Sequence, residues 1–235
     1  MTNNSHSIDV IVPVYNEEAI IETFYRRIKA IPLEMNLIFI DNASTDMTVR
    51  KLQSYSDINL IRHNSNEGYG GSVIDGLKQS SGDFVVIIDA DCEYPPEAIP
   101  AMTEALKNHE VVYASRFAGK NKINMPKFRV FGNRFVSILF NRLFGQNITD
   151  LYTGFKALRK EAIRDLELKQ KGFDHVLEMA VQFAGKGILI HEIPVDYSLR
   201  QTGRSKMKHL RETVLLLYHL FYYRFFGQIK QKGLA

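Results

Sequence analysis

The strongest constraint on the fold is a repeated change of period in the first 89 residues. SIDVIVPV (7–14), NLIFID (36–41), INLIRH (58–63) and FVVIID (84–89) are short, β-branched apolar runs. Between them, EEAIIETFYRRIKAI (17–31), a segment led by Thr45 and Asp46 to about Tyr55, and YGGSVIDGLKQS (69–80) place apolar residues at helical spacing. Four strands joined by helices predict an α/β chain with a Rossmann-like, doubly wound, mostly parallel sheet. Such sheets bind ligands at the carboxyl ends of their strands, where strand order reverses.

The informative polar residues fall at those ends. Pro13, Tyr15, Asn16 and Glu17 follow the first strand, Asp41, Asn42 and Ser44 the second, and Asp89 and Asp91 the fourth. Two carboxylates one residue apart, ahead of the Tyr94-Pro95-Pro96 turn, make an oxygen-rich site suited to Mg²⁺ or Mn²⁺. A helix cap with a solvated acid before a helix over 97–107 is the plainer reading of the pair taken alone.

Past residue 110 the pattern loosens. A strand VVYAS (111–115), a helix over 127–144, a strand YTGFKALR (152–159), two helices and a strand ILIHEI (188–193) follow. Charge is unevenly spread: residues 1–110 carry 17 acids against 8 bases, whereas 111–149 carry 7 bases and no acid, and 200–235 carry 8 bases and 1 acid. An acid-free segment of that length suggests an anionic partner.

Several motifs have ordinary structural readings. NEGYGGSVIDG (66–76) lacks the Lys-Ser/Thr ending of a P-loop, and its glycines suit a close-packed helix start. His175 and Glu178 lie one helical turn apart without a partner to complete a metal triad, so they read as helix-lining groups. The first residues, MTNNSHSIDV, contain no secretory-type apolar run, and the single Cys92 excludes a disulfide framework and suits a reducing cytosol. No RNA- or DNA-binding motif is present, so nucleic acid is not an expected partner.

In combination, VIVPVYNEE, DNASTD, NEGYGGSVIDGLKQSSGDFVVIIDADCEYPPE and YTGFKAL resemble the family 2 glycosyltransferases of the GT-A fold. Within these, the chain is most similar to the dolichol- and polyprenyl-phosphate sugar synthases, from about residue 8 to about residue 208. The resemblance implies that Pro13, Tyr15, Glu17 and Asp41, with Ser44, hold the nucleoside of a nucleotide sugar. It implies that Asp89 and Asp91 hold its diphosphate through a divalent metal, with Glu93 in the third metal position, and that Asp150 shapes the sugar pocket. It also assigns the acceptor phosphate to Arg116, Arg129, Asn133, Arg200, Arg204, Ser205 and Lys206; Asp89, Asp91, Arg116, Arg129, Arg200 and Lys206 would carry catalysis. Three positions depart from the family pattern: Asn42 for an Asp, Glu93 for a Gln, and Asn133 for a Ser.

A phosphate monoester is already largely dianionic at neutral pH, so unlike a hydroxyl it needs no general base, but it must be brought to an anionic donor. The basic segments meet that need, and arginine's planar fork suits phosphate. The expected activity is inverting transfer of a hexose from a nucleotide sugar to a polyprenyl phosphate. The alternatives are a saccharide-hydroxyl acceptor and a non-catalytic module on anionic membrane.

In KFRVFGNRFVSILFNRLF (127–144), Phe128, Phe131, Phe135, Leu139 and Leu143 fall near one face among basic residues, as in a helix lying in a membrane interface. In LRETVLLLYHLFYYRFFG (210–227) the longest uncharged run, Thr213 to Tyr223, is eleven residues, short of the roughly 20 needed to cross a bilayer. The expected organisation is a GT-A domain over 1–208 and an apolar, basic helix over 209–235. That helix meets either a membrane interface or protein, including a second copy in a homo-oligomer. The expected location is the cytoplasmic side of a membrane, peripherally bound.

Overall fold

The computed structural model describes residues 6–119, 125–198 and 209–226. In chain order, β1 (Ile8–Val14), α1 (Ile21–Lys29), β2 (Asn36–Asp41), α2 (Thr48–Leu52), β3 (Ile58–Arg62), α3 (Gly68–Gln79) and β4 (Phe84–Ile87) build the first half. A 3₁₀ turn (Pro96–Ala98), α4 (Ile99–Ala105), β5 (Val111–Ser115), α5 (Lys127–Phe144), β6 (Lys156–Arg159), α6 (Lys160–Ile163), α7 (His175–Gly185), β7 (Ile190–Pro194) and α8 (His209–Phe225) build the second.

Among the described residues the strands form one sheet in the order β3-β2-β1-β4-β6-β5-β7. β6 runs antiparallel to both neighbours, β4 and β5, and every other pairing is parallel. The chain steps outward from β1 to β3 and then returns to the other side of β1 with β4. Strand order therefore reverses between β1 and β4, and a crevice opens above their carboxyl ends.

The sheet is covered on both faces, which is why its strands read as unbroken apolar runs rather than alternating ones. All seven residues of β1 are buried. Val10 and Val12 pack with Phe24 and Ile28 of α1 and Met102 of α4. Ile11 faces the other layer with Val73 of α3, Phe140 of α5 and Leu177 of α7. Burying each such side chain contributes about 1.5–3 kcal/mol. In α3, a Cβ on Gly76 would lie 2.3 Å from Ile11 Cγ2, so glycine lets the helix seat on the sheet.

The element boundaries differ from the sequence reading where side chains take over backbone bonding. The expected helix over 17–31 begins at Ile21, because the Glu17 N–H donates to Thr48 Oγ1 at 2.8 Å and the chain first makes a turn on the Glu17 carbonyl. The expected strand over 152–159 begins at Lys156, because Phe155 N–H donates back to Thr153 Oγ1 at 3.2 Å. The helix over 127–144 forms as expected, ending at Gly145 in the left-handed region (φ 66°).

Leu217, Leu220 and Tyr223 of α8 join the core layer formed by α5 and α7. His219 Nδ1 lies 3.4 Å from Asp174 Oδ2 beside the start of α7. Among the described residues no helix is long and apolar enough to cross a membrane.

Candidate active site

A pocket of about 750 Å³ lies over the reversal point, with Pro13, Val14, Tyr15 and Glu17 from the end of β1 and Asp89, Asp91 and Glu93 from the end of β4 on its walls. Among the described residues three non-glycine residues adopt left-handed backbone conformations, and they lie just past the ends of β1, β2 and β4: Asn16 (φ 54°), Ala43 (φ 63°) and Cys92 (φ 59°). Such conformations persist only where the surroundings hold them, and they concentrate at functional edges.

The holding bonds can be traced. Asn16 N–H donates to Ser44 Oγ at 2.9 Å, Ser44 N–H donates to the Asp41 carboxylate at 3.3 Å, and Thr45 N–H donates to Asn16 Oδ1 at 2.8 Å. Asp41 and Ser44 thus knit the turns after β1 and β2 from behind the pocket wall. The residue from the second strand end on that wall is Asn42, with Asn66 beside it. Asn42 Nδ2 donates to Asn66 Oδ1 at 3.1 Å, while its Oδ1 accepts from Glu67 N–H at 2.8 Å. Asn42 was legible as a strand-end residue, but Asn66 was not, since it lies in a loop beyond β3.

On the β4 side, Asp89 Oδ1 is buried with no hydrogen-bond partner among the described residues. Burial pushes the Asp89 carboxyl up to about 6, against the pull of the Tyr69 hydroxyl and the Lys156 ammonium. A Cβ on Gly154 would lie 2.3 Å from Asp89 Oδ2, so glycine leaves that carboxylate its room. Among the described residues no three His, Cys, Asp or Glu side chains are grouped to hold a metal ion. Two carboxylates, one with an orphaned buried oxygen, fit a hard divalent cation that completes its shell with water and substrate phosphate. Asp89 and Asp91 would hold it. Glu93 Oε2 accepts from the Tyr197 hydroxyl at 2.7 Å, and among the described residues the three acids are not gathered into a metal-holding group.

Lys156 is a residue that sequence reasoning missed. It is only 2% exposed, its Nζ donates to the Thr153 carbonyl and lies 5.1 Å from the Tyr113 ring centre, and burial lowers its ammonium to about 8. Beneath the pocket it supplies positive charge toward Asp89 and Asp150.

Arg116 and Asp150, expected at the acceptor phosphate and the sugar, grip one another. Arg116 Nε and Nη2 donate to the two Asp150 oxygens, each at 2.7 Å, and Arg116 N–H adds a third bond at 3.0 Å. Asp150 is wholly buried, and Glu192 accepts from its backbone N–H at 2.8 Å. Arg116 reaches the pocket wall, but its fork is committed to the protein, so the site has a rigid floor there rather than a free phosphate clamp.

Arg129 and Asn133 line the pocket from the first two turns of α5, and Arg129 Nε is buried with no hydrogen-bond partner among the described residues. Arg200, Arg204, Ser205 and Lys206 lie outside the described residues. His175 is buried, its Nδ1 lies 2.8 Å from the Gly172 carbonyl, and burial depresses its imidazole to about 3. Glu178 Oε2 accepts from Lys169 and Gln170 N–H, both at 2.9 Å. Both residues therefore hold the loop ahead of α7. Gly68 and Gly70 of α3 are there for that loop's approach: a Cβ on Gly68 would lie 2.2 Å from the Lys171 carbonyl oxygen, and one on Gly70 2.4 Å from the Gln170 carbonyl oxygen.

Residues 9–167 match the family model described as "Glycosyl transferase family 2". A dolichol-phosphate mannosyltransferase from Pyrococcus furiosus is 34% identical over 211 residues, covering 86% of this chain but 59% of that protein's length. An undecaprenyl-phosphate mannosyltransferase from Micrococcus luteus is 30% identical over 210 residues, 84% of this chain and 86% of that protein. The fold matches glucosyl-3-phosphoglycerate synthase from Mycobacterium tuberculosis, solved with Mn²⁺, uridine diphosphate and glucosyl-3-phosphoglycerate. Their TM-score is 0.71 at 19% identity, over 93% of this chain and 80% of that one. The sheet with its reversal between β1 and β4, the paired acids at that point and the matched span together make this chain a member of glycosyl transferase family 2, with an α/β fold of the GT-A type.

Proposed function

We propose that the chain transfers a hexose from a nucleotide sugar to a polyprenyl phosphate, with inversion, at the cytoplasmic face of a membrane. The carrying observation is that one pocket has carboxylates on one wall and, at the start of α5, an arginine whose buried Nε has no partner among the described residues. The acidic wall suits a cation-bound diphosphate, and the α5 wall suits a second anion. α5 adds the partial positive charge of a helix N-terminus, and its first turn carries no acid. The names of the Pyrococcus and Micrococcus relatives support a polyprenyl-type acceptor.

In this reading Tyr15, Glu17 and Asn42 face the nucleoside. When bound at Asp89 and Asp91, Mg²⁺ or Mn²⁺ supplies charge neutralisation to the departing nucleoside diphosphate. Arg129 and Asn133 receive the acceptor phosphate, joined by the basic run from Arg200 to Lys206. The Arg116–Asp150 pair holds the floor between the two anions.

The outer face of α5 presents Phe128, Phe131, Phe135 and Ile138 to solvent, and α8 presents Tyr218, Phe221, Tyr222 and Phe225. Leu139 and Leu143, expected on that outer face, pack inward against the core instead. Exposed aromatics beside basic residues suit the headgroup region of a membrane.

Arg129→Ala tests the acceptor site. A lost charge-assisted hydrogen bond of about 1.5–3 kcal/mol raises KM for a short-chain polyprenyl phosphate roughly tenfold or more, with the donor KM little changed. A rise confined to the donor KM would contradict the assignment.

A further inference from the structure

The turn DADCE (89–93) holds an acid that the metal does not explain. Three of the four hydrogen-bonding atoms of Glu93 are engaged. Its N–H donates to Asp91 Oδ1 at 3.0 Å, its carbonyl accepts from Ser198 N–H at 3.0 Å, and its Oε2 accepts from the Tyr197 hydroxyl at 2.7 Å. Between the two acids, Cys92 sits at φ 59°, a conformation costing a non-glycine residue about 1–3 kcal/mol unless its neighbours hold it.

Tyr197 is itself fixed. Its ring meets Tyr94 edge-on at 5.6 Å and lies 5.3 Å from the Arg116 guanidinium, which Asp150 pins in place. Just before it, Val195 N–H donates to the Ser115 carbonyl, continuing the β5–β7 ladder. The turn after β4 is thereby tied to the chain leaving β7, a strand at the far edge of the sheet.

We propose that Glu93 is a positioning residue rather than a metal ligand. Tyr197 holds its carboxylate, which fixes the left-handed turn and presents Asp91 to the pocket. The inference rests on the proposed function only in taking Asp91 as a metal-holding group, so it can be tested by metal binding without transfer.

The test uses the full chain, Mn²⁺ alone as probe, and electron paramagnetic resonance to measure free Mn²⁺. Glu93→Ala and Tyr197→Phe should each weaken Mn²⁺ binding by about tenfold, as loss of a group that orients a ligand does. The double variant should be no weaker than either single, and Glu93→Gln, which can still accept from the tyrosine, should restore binding. Retained thermal midpoints in Tyr197→Phe and Glu93→Gln exclude a general loss of fold. If Glu93→Ala loses binding that Tyr197→Phe keeps, if the losses add, or if Glu93→Gln binds as poorly as Glu93→Ala, the assignment is overturned. A coupled pair with no sugar transfer would overturn the proposed function and leave this inference standing.

Discussion

Gly154 illustrates how single residues set the chemistry from outside it. Its missing Cβ leaves room for the Asp89 carboxylate, which a methyl would meet at 2.3 Å. Gly154→Ala should weaken Mn²⁺ binding by about tenfold or more, read by calorimetry, while the metal-free protein keeps its thermal midpoint. His175 has the opposite signature, a contribution to stability rather than chemistry. Burial depresses it to about 3 from the ordinary 6.5, so the folded protein stays neutral where the unfolded chain takes up a proton. Its contribution is complete above pH 6.5 and is lost as pH falls toward 3, by up to about 1.4 kcal/mol per pH unit. Urea unfolding should show this decline below 6.5, and His175→Gln should flatten it. The paired acids at 89 and 91 were legible because an apolar run delivers them to a strand end. The Arg116–Asp150 fork was not, since nothing local marks two residues 34 apart as partners. Lys156 was equally hidden, because a lysine in a short strand ordinarily reads as a solvent-facing group.

At the scale of elements, α5 does two jobs on opposite sides. Val136, Phe140 and Phe144 enter the core, its first turns line the pocket, and Phe131 (73% exposed) and Phe135 (50%) face outward. Replacing both outward aromatics with Asp should leave the thermal midpoint unchanged and sharply reduce sedimentation with anionic vesicles. Unchanged sedimentation would remove α5 from the membrane contact. The helix and its span were readable from apolar spacing and from Gly145. Which leucines turn inward was not, because an 18-residue helix with aromatics on several sides has no single apolar stripe. β6 shows the same limit: its antiparallel insertion between β4 and β5 is set by tertiary packing, and four residues carry no directional signal.

At the scale of the whole molecule, charge separation along the chain becomes charge separation across one pocket. The first 110 residues, with their excess of acids, provide the strand ends that hold Asp89 and Asp91. The acid-free stretch from 111 to 149 folds so that α5 brings Arg129 and Asn133 to the same pocket. The parallel half of the sheet followed from periodicity and the polar strand ends pointed to one pocket, but the reversal between β1 and β4 depends on strand order, which periodicity does not carry. The direct test supplies the purified chain with Mn²⁺, a panel of radiolabelled nucleotide sugars and a polyprenyl phosphate in detergent, and then extracts into organic solvent. Label from at least one donor should enter the organic phase, and Asp91→Ala should abolish this transfer while remaining folded. Label found only on soluble saccharide, or full transfer by Asp91→Ala, would contradict the proposed function.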